Sequence, residues 1–213
     1  MGTFPSSFEK YSRVLLLMGP PGSGKSTAAA YACSIRPHCI HISTGELVRS
    51  YGSARERANI AAGRFTPDIV IQRMLLAAIK VKFESLPRAN ARQALILLDG
   101  FPRTPAQVDW LCCQTRVLGR VMLRLPREIA VSRLLTRVGD RPEDTPERIA
   151  RRYDDYDRLT LAAGQRLLDR ALTTGLPGWF ELDAAQSQEQ VGQRLVEIVD
   201  QVSMAHIKKV SLK

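Results

Sequence analysis

The sequence predicts an α/β fold in which a parallel five-stranded sheet is flanked by helices. Two observations carry this prediction: short continuous apolar runs end in glycine, proline or aspartate, and helical patterns lie between successive runs. A strand that is apolar throughout, rather than at alternate residues, is typical of a parallel sheet buried on both faces. We therefore expect helices on both sides of the sheet.

The predicted elements alternate along the chain. Strands are predicted at residues 13–17, 39–42, 94–98, 119–125 and 179–182. Helices are predicted at residues 25–32, from about 43, and at 68–84, 105–115, 128–137, 145–169 and 187–202. Ser187, with Gln190 three residues later, is predicted to form a capping box at the start of the last helix.

Length and composition predict one globular domain over residues 1–213. Hydrophobic residues make up 45% of the chain, and no apolar run approaches the ~20 residues that cross a bilayer. No secretory signal opens the sequence, so we expect a cytoplasmic protein without membrane association. The cysteines Cys33, Cys39, Cys112 and Cys113 form no CxxC pair, which argues against a zinc site.

A formal net charge of +10 indicates polyanionic partners. The basic residues could converge on a phosphate site, spread over a face that binds nucleic acid, or form a merely solvated surface, and composition alone does not choose. Aromatic residues are only 6% of the chain and are not interleaved with the basic runs, so no stacking platform for nucleic acid is evident. We do not expect nucleic acid as a partner. A noncatalytic nucleotide- or nucleic-acid-binding protein remains the alternative from a different class.

A glycine-rich segment follows the first predicted strand. It reads GPPGSGKST and satisfies the phosphate-loop pattern G-x-x-x-x-G-K-[ST]. Glycines let successive backbone N–H groups point at one phosphate, Lys25 can bridge the β- and γ-phosphates, and the Ser26 hydroxyl can ligate magnesium. A glycine-rich turn without a ligand is the alternative, but a strand before and a helix after are the context that the mechanism demands. The predicted ATP-binding residues of this segment are Gly19, Gly22, Ser23, Gly24, Lys25, Ser26 and Thr27.

Three further segments carry candidate acceptor-site and catalytic residues. Residues 41–49 read HISTGELVR, and residues 97–104 read LLDGFPRT, with Gln107 shortly after. The third is an arginine series, Arg133, Arg137, Arg141 and Arg152. Together with GPPGSGKST, these motifs resemble the nucleoside monophosphate kinases, and adenylate kinases in particular, over residues from about 13 to 202.

The resemblance implies reversible transfer of the γ-phosphoryl group of Mg-ATP to AMP, giving two ADP, on a P-loop NTPase-like fold. It places Thr44 near the acceptor base, Arg49 and Arg103 at the acceptor phosphate, and the Gln107 amide on adenine, with Gly100 in the same site. The spacing of four residues predicts that Arg103 and Gln107 share one face of a helix. Kinases of this family for pyrimidine monophosphates usually carry alanine and asparagine at the positions of Thr44 and Gln107, so both residues favour AMP.

The resemblance also assigns the donor side. Arg133 would lie against the ATP base, Arg137 on the transferring phosphates, and Arg141 and Arg152 in the closing lid. The catalytic residues implied are Lys25, Arg103, Arg137, Arg141 and Arg152. Asp99, with Ser26, would serve the magnesium ion, through water, although an aspartate before glycine can also simply cap a turn.

Two inserted segments are expected within the single domain. The acceptor-binding insert spans about residues 43–75, and the lid, a short form without a zinc module, spans about 137–152. Both are shorter than in relatives, which leaves a UMP/CMP or broad-specificity monophosphate kinase as the alternative. Transfer to an anionic phosphate oxygen needs no general base, so catalysis would depend on alignment and charge neutralisation. We expect a monomer that binds only nucleotides.

Overall fold

The computed structural model describes residues 13–62, 66–91, 93–136, 144–174 and 178–211. Five parallel strands form one sheet in the order β2-β3-β1-β4-β5, which confirms the predicted α/β architecture. The strands are β1 (Arg13–Met18), β2 (Cys39–Ser43), β3 (Leu95–Asp99), β4 (Arg116–Arg124) and β5 (Gly178–Asp183). Each predicted strand is present, and its ends differ from the predicted ones by at most three residues.

The described helices lie between successive strands, except for the last one, which follows β5. They are α1 (Lys25–Ile35), α2 (Thr44–Tyr51), α3 (Ala54–Ala61), α4 (Asp68–Glu84), α5 (Arg88–Ala91), α6 (Pro105–Gln114), α7 (Arg127–Leu135), α8 (Pro146–Asp155), α9 (Leu161–Thr174) and α10 (Gln188–Ser211). The sequence prediction missed α3 and α5, and the helix predicted at 145–169 is α8 and α9 joined by a π-helical turn, Tyr156–Thr160. None of the described helices is both long and apolar enough to cross a membrane.

The predicted capping box at the start of α10 is present. The backbone N–H of Ser187 donates to Gln190 Oε1 at 3.1 Å, and the backbone N–H of Gln190 donates to Ser187 Oγ at 3.2 Å. Two N–H groups that the helix cannot satisfy internally are therefore paired by side chains.

Both faces of the sheet are buried, as the continuous apolar runs predict. Leu15 and Leu17 of β1 point into a core formed with α1 and α10, whereas Val14 and Leu16 point into a second core formed with α4, α6 and α9. All four side chains are buried. Because neighbouring residues of a strand face opposite sides, a strand inside such a sheet must be apolar at every position.

The strand order reverses between β1 and β3. The chain leaves β1 for β2 on one side and leaves β3 for β4 on the other, so a crevice opens at the carboxyl ends of β1 and β3. Asp99, the last residue of β3, is in register with Leu17 of β1 and Ser43 of β2. Three strands therefore end together at the position where sheets of this kind bind ligands.

Gly119 of β4 lies so close to the edge strand β5 that no side chain fits between them. It pairs with Gly178 of β5, and a Cβ added to Gly119 would lie 2.2 Å from the Gly178 carbonyl oxygen. Because no real contact is that short, Gly119→Ala should push β5 away and lower the free energy of unfolding by about 1–3 kcal/mol. Denaturant unfolding checks this, with Leu172→Ala, at an exposed position of α9, as the neutral control. Equal stability of the two variants would contradict the prediction.

Candidate active site

The glycine-rich loop turns sharply between β1 and α1. Gly22 and Gly24 adopt φ angles of 83° and 80°, which side chains rarely tolerate. A Cβ on Gly22 would also lie 2.6 Å from the carbonyl oxygen of Ala130 on α7, so glycine is required there for space as well. No described side chain caps the first turn of α1. Its N–H groups and the helix dipole are therefore available to an anion.

Lys25, the first residue of α1, folds its side chain over this loop. Its Nζ donates to the carbonyl oxygens of Gly19 and Pro20, both at 2.9 Å, and to Ser23 Oγ at 3.1 Å. These contacts hold a positive charge at the mouth of the loop, where a bound phosphate would lie.

Ser26 and Asp99 meet behind the loop. The Ser26 hydroxyl donates to Asp99 Oδ2 at 2.5 Å, and Asp99 is buried at the end of β3. A hydroxyl oxygen beside a carboxylate is the kind of oxygen pair that serves a hard divalent cation directly or through water. The two residues that the sequence analysis assigned to magnesium, Ser26 and Asp99, are therefore in direct contact.

Thr44 and Gly100 form the opposite wall. Thr44, the first residue of α2, is buried, and its Oγ1 donates to the backbone carbonyl of Asp99 at 3.4 Å. Gly100 has a φ of 82°, and a Cβ there would lie 2.7 Å from Thr44 Oγ1. The start of α2 is thus packed directly onto the end of β3.

The prediction that Arg103 and Gln107 share a helical face is wrong. Helix α6 begins at Pro105 with Thr104 as its cap, so Arg103 lies in the loop before it. The two residues are joined differently: the Arg103 backbone N–H donates to Gln107 Oε1 at 2.7 Å, while Arg103 Nε donates to the Gly100 carbonyl at 2.8 Å. Arg103 and Gln107 are therefore neighbours, but a hydrogen bond from the Arg103 backbone joins them rather than a shared helical face.

The guanidinium groups of three arginines line one cavity of about 730 Å³: Arg49, Arg103 and Arg152. The phosphate loop and Asp99 line the same cavity. Burial lowers the pKa of Arg103, the positive charges of Arg152 and Arg49 lower it further, and Asp99 and Asp155 oppose the shift. Arg152 is paired with Asp144. Concentrated positive charge of this kind costs stability in the free protein and is what a cluster of phosphates would neutralise.

Arg133 lies apart from this cluster. Its Nη1 donates to the carbonyl of Ala184, which follows β5, at 2.7 Å, and it is not one of the described residues that line the cavity. Arg137 and Arg141 lie outside the described residues. The structure therefore brings together the phosphate loop, Asp99, Thr44, Arg49, Gly100, Arg103, Gln107 and Arg152.

Three hydrogen bonds at this site were not predicted by the sequence motifs. The Tyr153 hydroxyl, on α8, donates to the Pro21 carbonyl of the phosphate loop at 3.1 Å. Arg151 of the same helix donates to the Ala62 carbonyl, beyond α3, at 3.0 Å. Asp68 Oδ1 accepts from Gln107 Nε2 at 2.7 Å. In the sequence, Asp68 was recognisable only as an acidic residue at the start of a predicted helix, and Thr66, which lines a cavity with Gln107, belonged to no motif.

A parallel sheet with this strand order, a glycine-rich phosphate loop after its central strand, and a hydroxyl joined to a strand-end carboxylate define a P-loop nucleotide-binding protein. A family model described as an AAA domain matches residues 18–150, more than half of the chain. The adenylate kinase of Micrococcus luteus is 33% identical over 204 residues, which cover 90% of this chain and 92% of that protein. The adenylate kinase of Nocardioides sp. is 34% identical, over 79% and 91% of the two chains.

A third relative is named for GTP as well as for AMP. The mitochondrial GTP:AMP phosphotransferase of Drosophila melanogaster is 29% identical, over 61% of this chain and 58% of that protein. The names of all three relatives refer to adenylate or AMP. The chain belongs to the adenylate kinase family.

Proposed function

We infer that the protein transfers the γ-phosphoryl group of ATP to AMP reversibly, giving two ADP. One observation supports this inference beyond nucleotide binding: the phosphate loop and the side chains that we assign to the acceptor, Thr44, Arg49, Arg103 and Gln107, line two cavities at the end of β3. Arg103 lies near Asp99, and Asp99 in turn contacts Ser26 of the loop. A donor and an acceptor bound at these two places would meet between them.

On the donor side we propose that the loop residues from Gly19 to Thr27 hold the ATP phosphates, with Lys25 at the β- and γ-phosphates. Arg133 would lie beside the ATP base, and Arg137 on the transferring phosphates. The Ser26–Asp99 pair fits Mg²⁺ because it supplies oxygen ligands, one of them anionic. When bound with ATP, the ion would neutralise phosphate charge.

On the acceptor side we propose that Arg49 and Arg103 bind the AMP phosphate, while Thr44, Gly100 and Gln107 surround the base. A guanidinium binds two phosphate oxygens at once, which fixes the orientation of the acceptor. The Gln107 amide offers a donor and an acceptor side by side, which matches N1 and the exocyclic amine of adenine.

The chemistry needs alignment, charge neutralisation and exclusion of water. We propose that residues 137–152 act as a lid, with Arg141 and Arg152 brought to the phosphates, and that residues 43–75 form the acceptor-binding segment of the single domain. The hydrogen bonds of Tyr153 to Pro21 and of Arg151 to Ala62 support this proposal, because they join α8 to the phosphate loop and to the acceptor-binding segment. We expect a cytoplasmic monomer.

The function is tested by phosphotransfer from ATP or GTP to AMP, dAMP, GMP, CMP and UMP. We expect AMP with ATP to give the highest kcat/KM, because Gln107 and Thr44 suit adenine. Hydrolysis of ATP without acceptor is the control and should be slow. A P-loop protein that only hydrolyses or binds ATP would instead show the same ATP turnover with and without acceptor. Faster turnover of UMP or CMP would replace this proposal with a pyrimidine kinase.

A further inference from the structure

Tyr153 of α8 is bonded to the backbone of the phosphate loop. Its side chain is 3% exposed, and its hydroxyl donates to the Pro21 carbonyl oxygen at 3.1 Å. Tyr153 belongs to a small apolar core with Leu134 and Ile149, and the Arg127 guanidinium carbon lies 4.6 Å from the centroid of its ring. Burial raises the pKa of the Tyr153 hydroxyl, so this group stays protonated and able to donate at neutral pH. The donor of this hydrogen bond is therefore held in place by its packing.

The Pro21 carbonyl belongs to the same peptide group as the Gly22 N–H. This peptide is trans, like every described peptide other than Phe101–Pro102. In a planar trans peptide the carbonyl and the N–H point in opposite directions, so a group that fixes one also fixes the other. The Tyr153 hydroxyl therefore sets the direction of the Gly22 N–H, which points away from Tyr153.

The position of the large cavity shows where this N–H is directed. Pro21 and Gly22 line the cavity with Lys25, whereas Tyr153 is not among the described residues that line it. The hydroxyl thus approaches the peptide from outside the cavity, and the N–H on the opposite side of the peptide is directed towards it. In the described parts of the chain no backbone carbonyl accepts from the Gly22 N–H. This N–H is therefore available to a bound phosphate, as the N–H groups of such loops are.

Glycine at position 22 makes this peptide easy to turn over. Rotation of a peptide group changes ψ of the residue before it and φ of the residue after it, and glycine accepts φ of either sign. Gly22 is nevertheless required, because its φ is 83° and a Cβ there would lie 2.6 Å from the Ala130 carbonyl oxygen. A loop that needs glycine for space therefore contains a peptide with two accessible orientations, of which only one directs the N–H into the cavity. A hydrogen bond to the carbonyl selects that orientation.

We propose that Tyr153 is a positioning residue, whose hydroxyl holds the Pro21–Gly22 peptide so that the Gly22 N–H faces the phosphates of ATP. This proposal rests on the proposed function, which places the ATP phosphates in the loop. It adds a residue that acts through the loop backbone and does not touch the nucleotide.

Tyr153→Phe tests this role because it removes only the hydroxyl and keeps the ring. Equilibrium titration of the variant should give a Kd for ATP about three- to tenfold higher than that of the parent, the range expected for one hydrogen bond. The Kd for AMP should not change, because AMP binds on the acceptor side through Arg49 and Arg103. Tyr31→Phe is the matched control and should change neither constant, since Tyr31 is a partly buried tyrosine of α1 whose ring packs beside Gly192 of α10.

The comparison of two nucleotides separates positioning from a merely structural role, which would lower the melting temperature without distinguishing ATP from AMP. An unchanged Kd for ATP, or an equal rise for ATP and AMP, would overturn the proposal. If Tyr153→Phe does not fold, Tyr153→Leu, titrated with the same two nucleotides, decides. The proposed function fails separately, when the parent protein does not transfer a phosphoryl group to AMP, so titration and turnover distinguish the two failures.

Discussion

Lys25→Met is expected to lower kcat by about two to three orders of magnitude while the protein remains folded. Methionine keeps the length of the side chain but removes the ammonium group that the carbonyls of Gly19 and Pro20 hold at the loop. In the proposed mechanism this charge stabilises negative charge that builds up on the transferring phosphoryl group, so turnover should fall far more than ATP binding. Steady-state phosphotransfer from ATP to AMP measures the effect.

The matched control is Lys80→Met. Lys80 lies on α4, is largely exposed and pairs with Glu84 one helical turn away, so its replacement should leave kcat unchanged. A Lys25 variant that retains most of its turnover would separate the phosphate loop from catalysis. A large fall in melting temperature would instead show that Lys25 holds the loop together.

Arg103→Ala is expected to reduce kcat by about two to three orders of magnitude without lowering the melting temperature. The guanidinium is held at the acceptor side by the Gly100 carbonyl, where we propose that it binds the AMP phosphate. Burial and the nearby Arg152 and Arg49 lower the pKa of Arg103, which means that its charge is disfavoured in the free protein. Removing it relieves that repulsion, so activity and stability should change in opposite directions.

Two variants sharpen this prediction. Arg103→Lys keeps the charge but loses the planar fork, so it should recover only part of the turnover. Arg194→Ala removes an exposed arginine of α10 that pairs with Glu197 and should leave both kcat and stability unchanged. Full activity of Arg103→Ala would place the acceptor phosphate elsewhere.

The strands and the phosphate loop were predictable because each is indicated by a pattern within a few consecutive residues. A short run such as Leu95 to Leu98, apolar at every position, is typical of a strand inside a sheet that is covered on both faces, and the glycines of the loop match backbone angles that other residues avoid. The capping box at Ser187 is equally local, since its two hydrogen bonds span three residues.

Helix α3 escaped prediction because it has no apolar stripe. None of its residues is buried, and it is held instead by a capping box between Ser53 and Glu56. The π-helical turn at Tyr156–Thr160 was equally invisible, because one extra residue in a helix leaves no distinct composition. The start of α6 at Pro105 was predicted correctly, and Thr104 followed by Pro105 is a typical cap and first helical residue. The four-residue spacing of Arg103 and Gln107 was misread because Arg103 precedes this start.

The site was predictable where a motif named a residue and not where only the fold brings residues together. Asp68 and Gln107 are 39 positions apart and meet because α4 and α6 begin beside the same strand end. Thr66 joins them for the same reason, and a threonine before proline carries no functional signal in a sequence. Such contacts depend on the packing of three elements, which local patterns do not encode.

Asp99 gives the two halves of the site a common reference point. Its side chain is bonded to Ser26 on the donor side, and its backbone carbonyl accepts from Thr44 on the acceptor side. The distance between the two halves at this point is therefore set by the covalent geometry of one residue in a rigid strand. Segments that close over the nucleotides can vary in their final position, while β3 fixes the alignment of donor and acceptor that transfer requires.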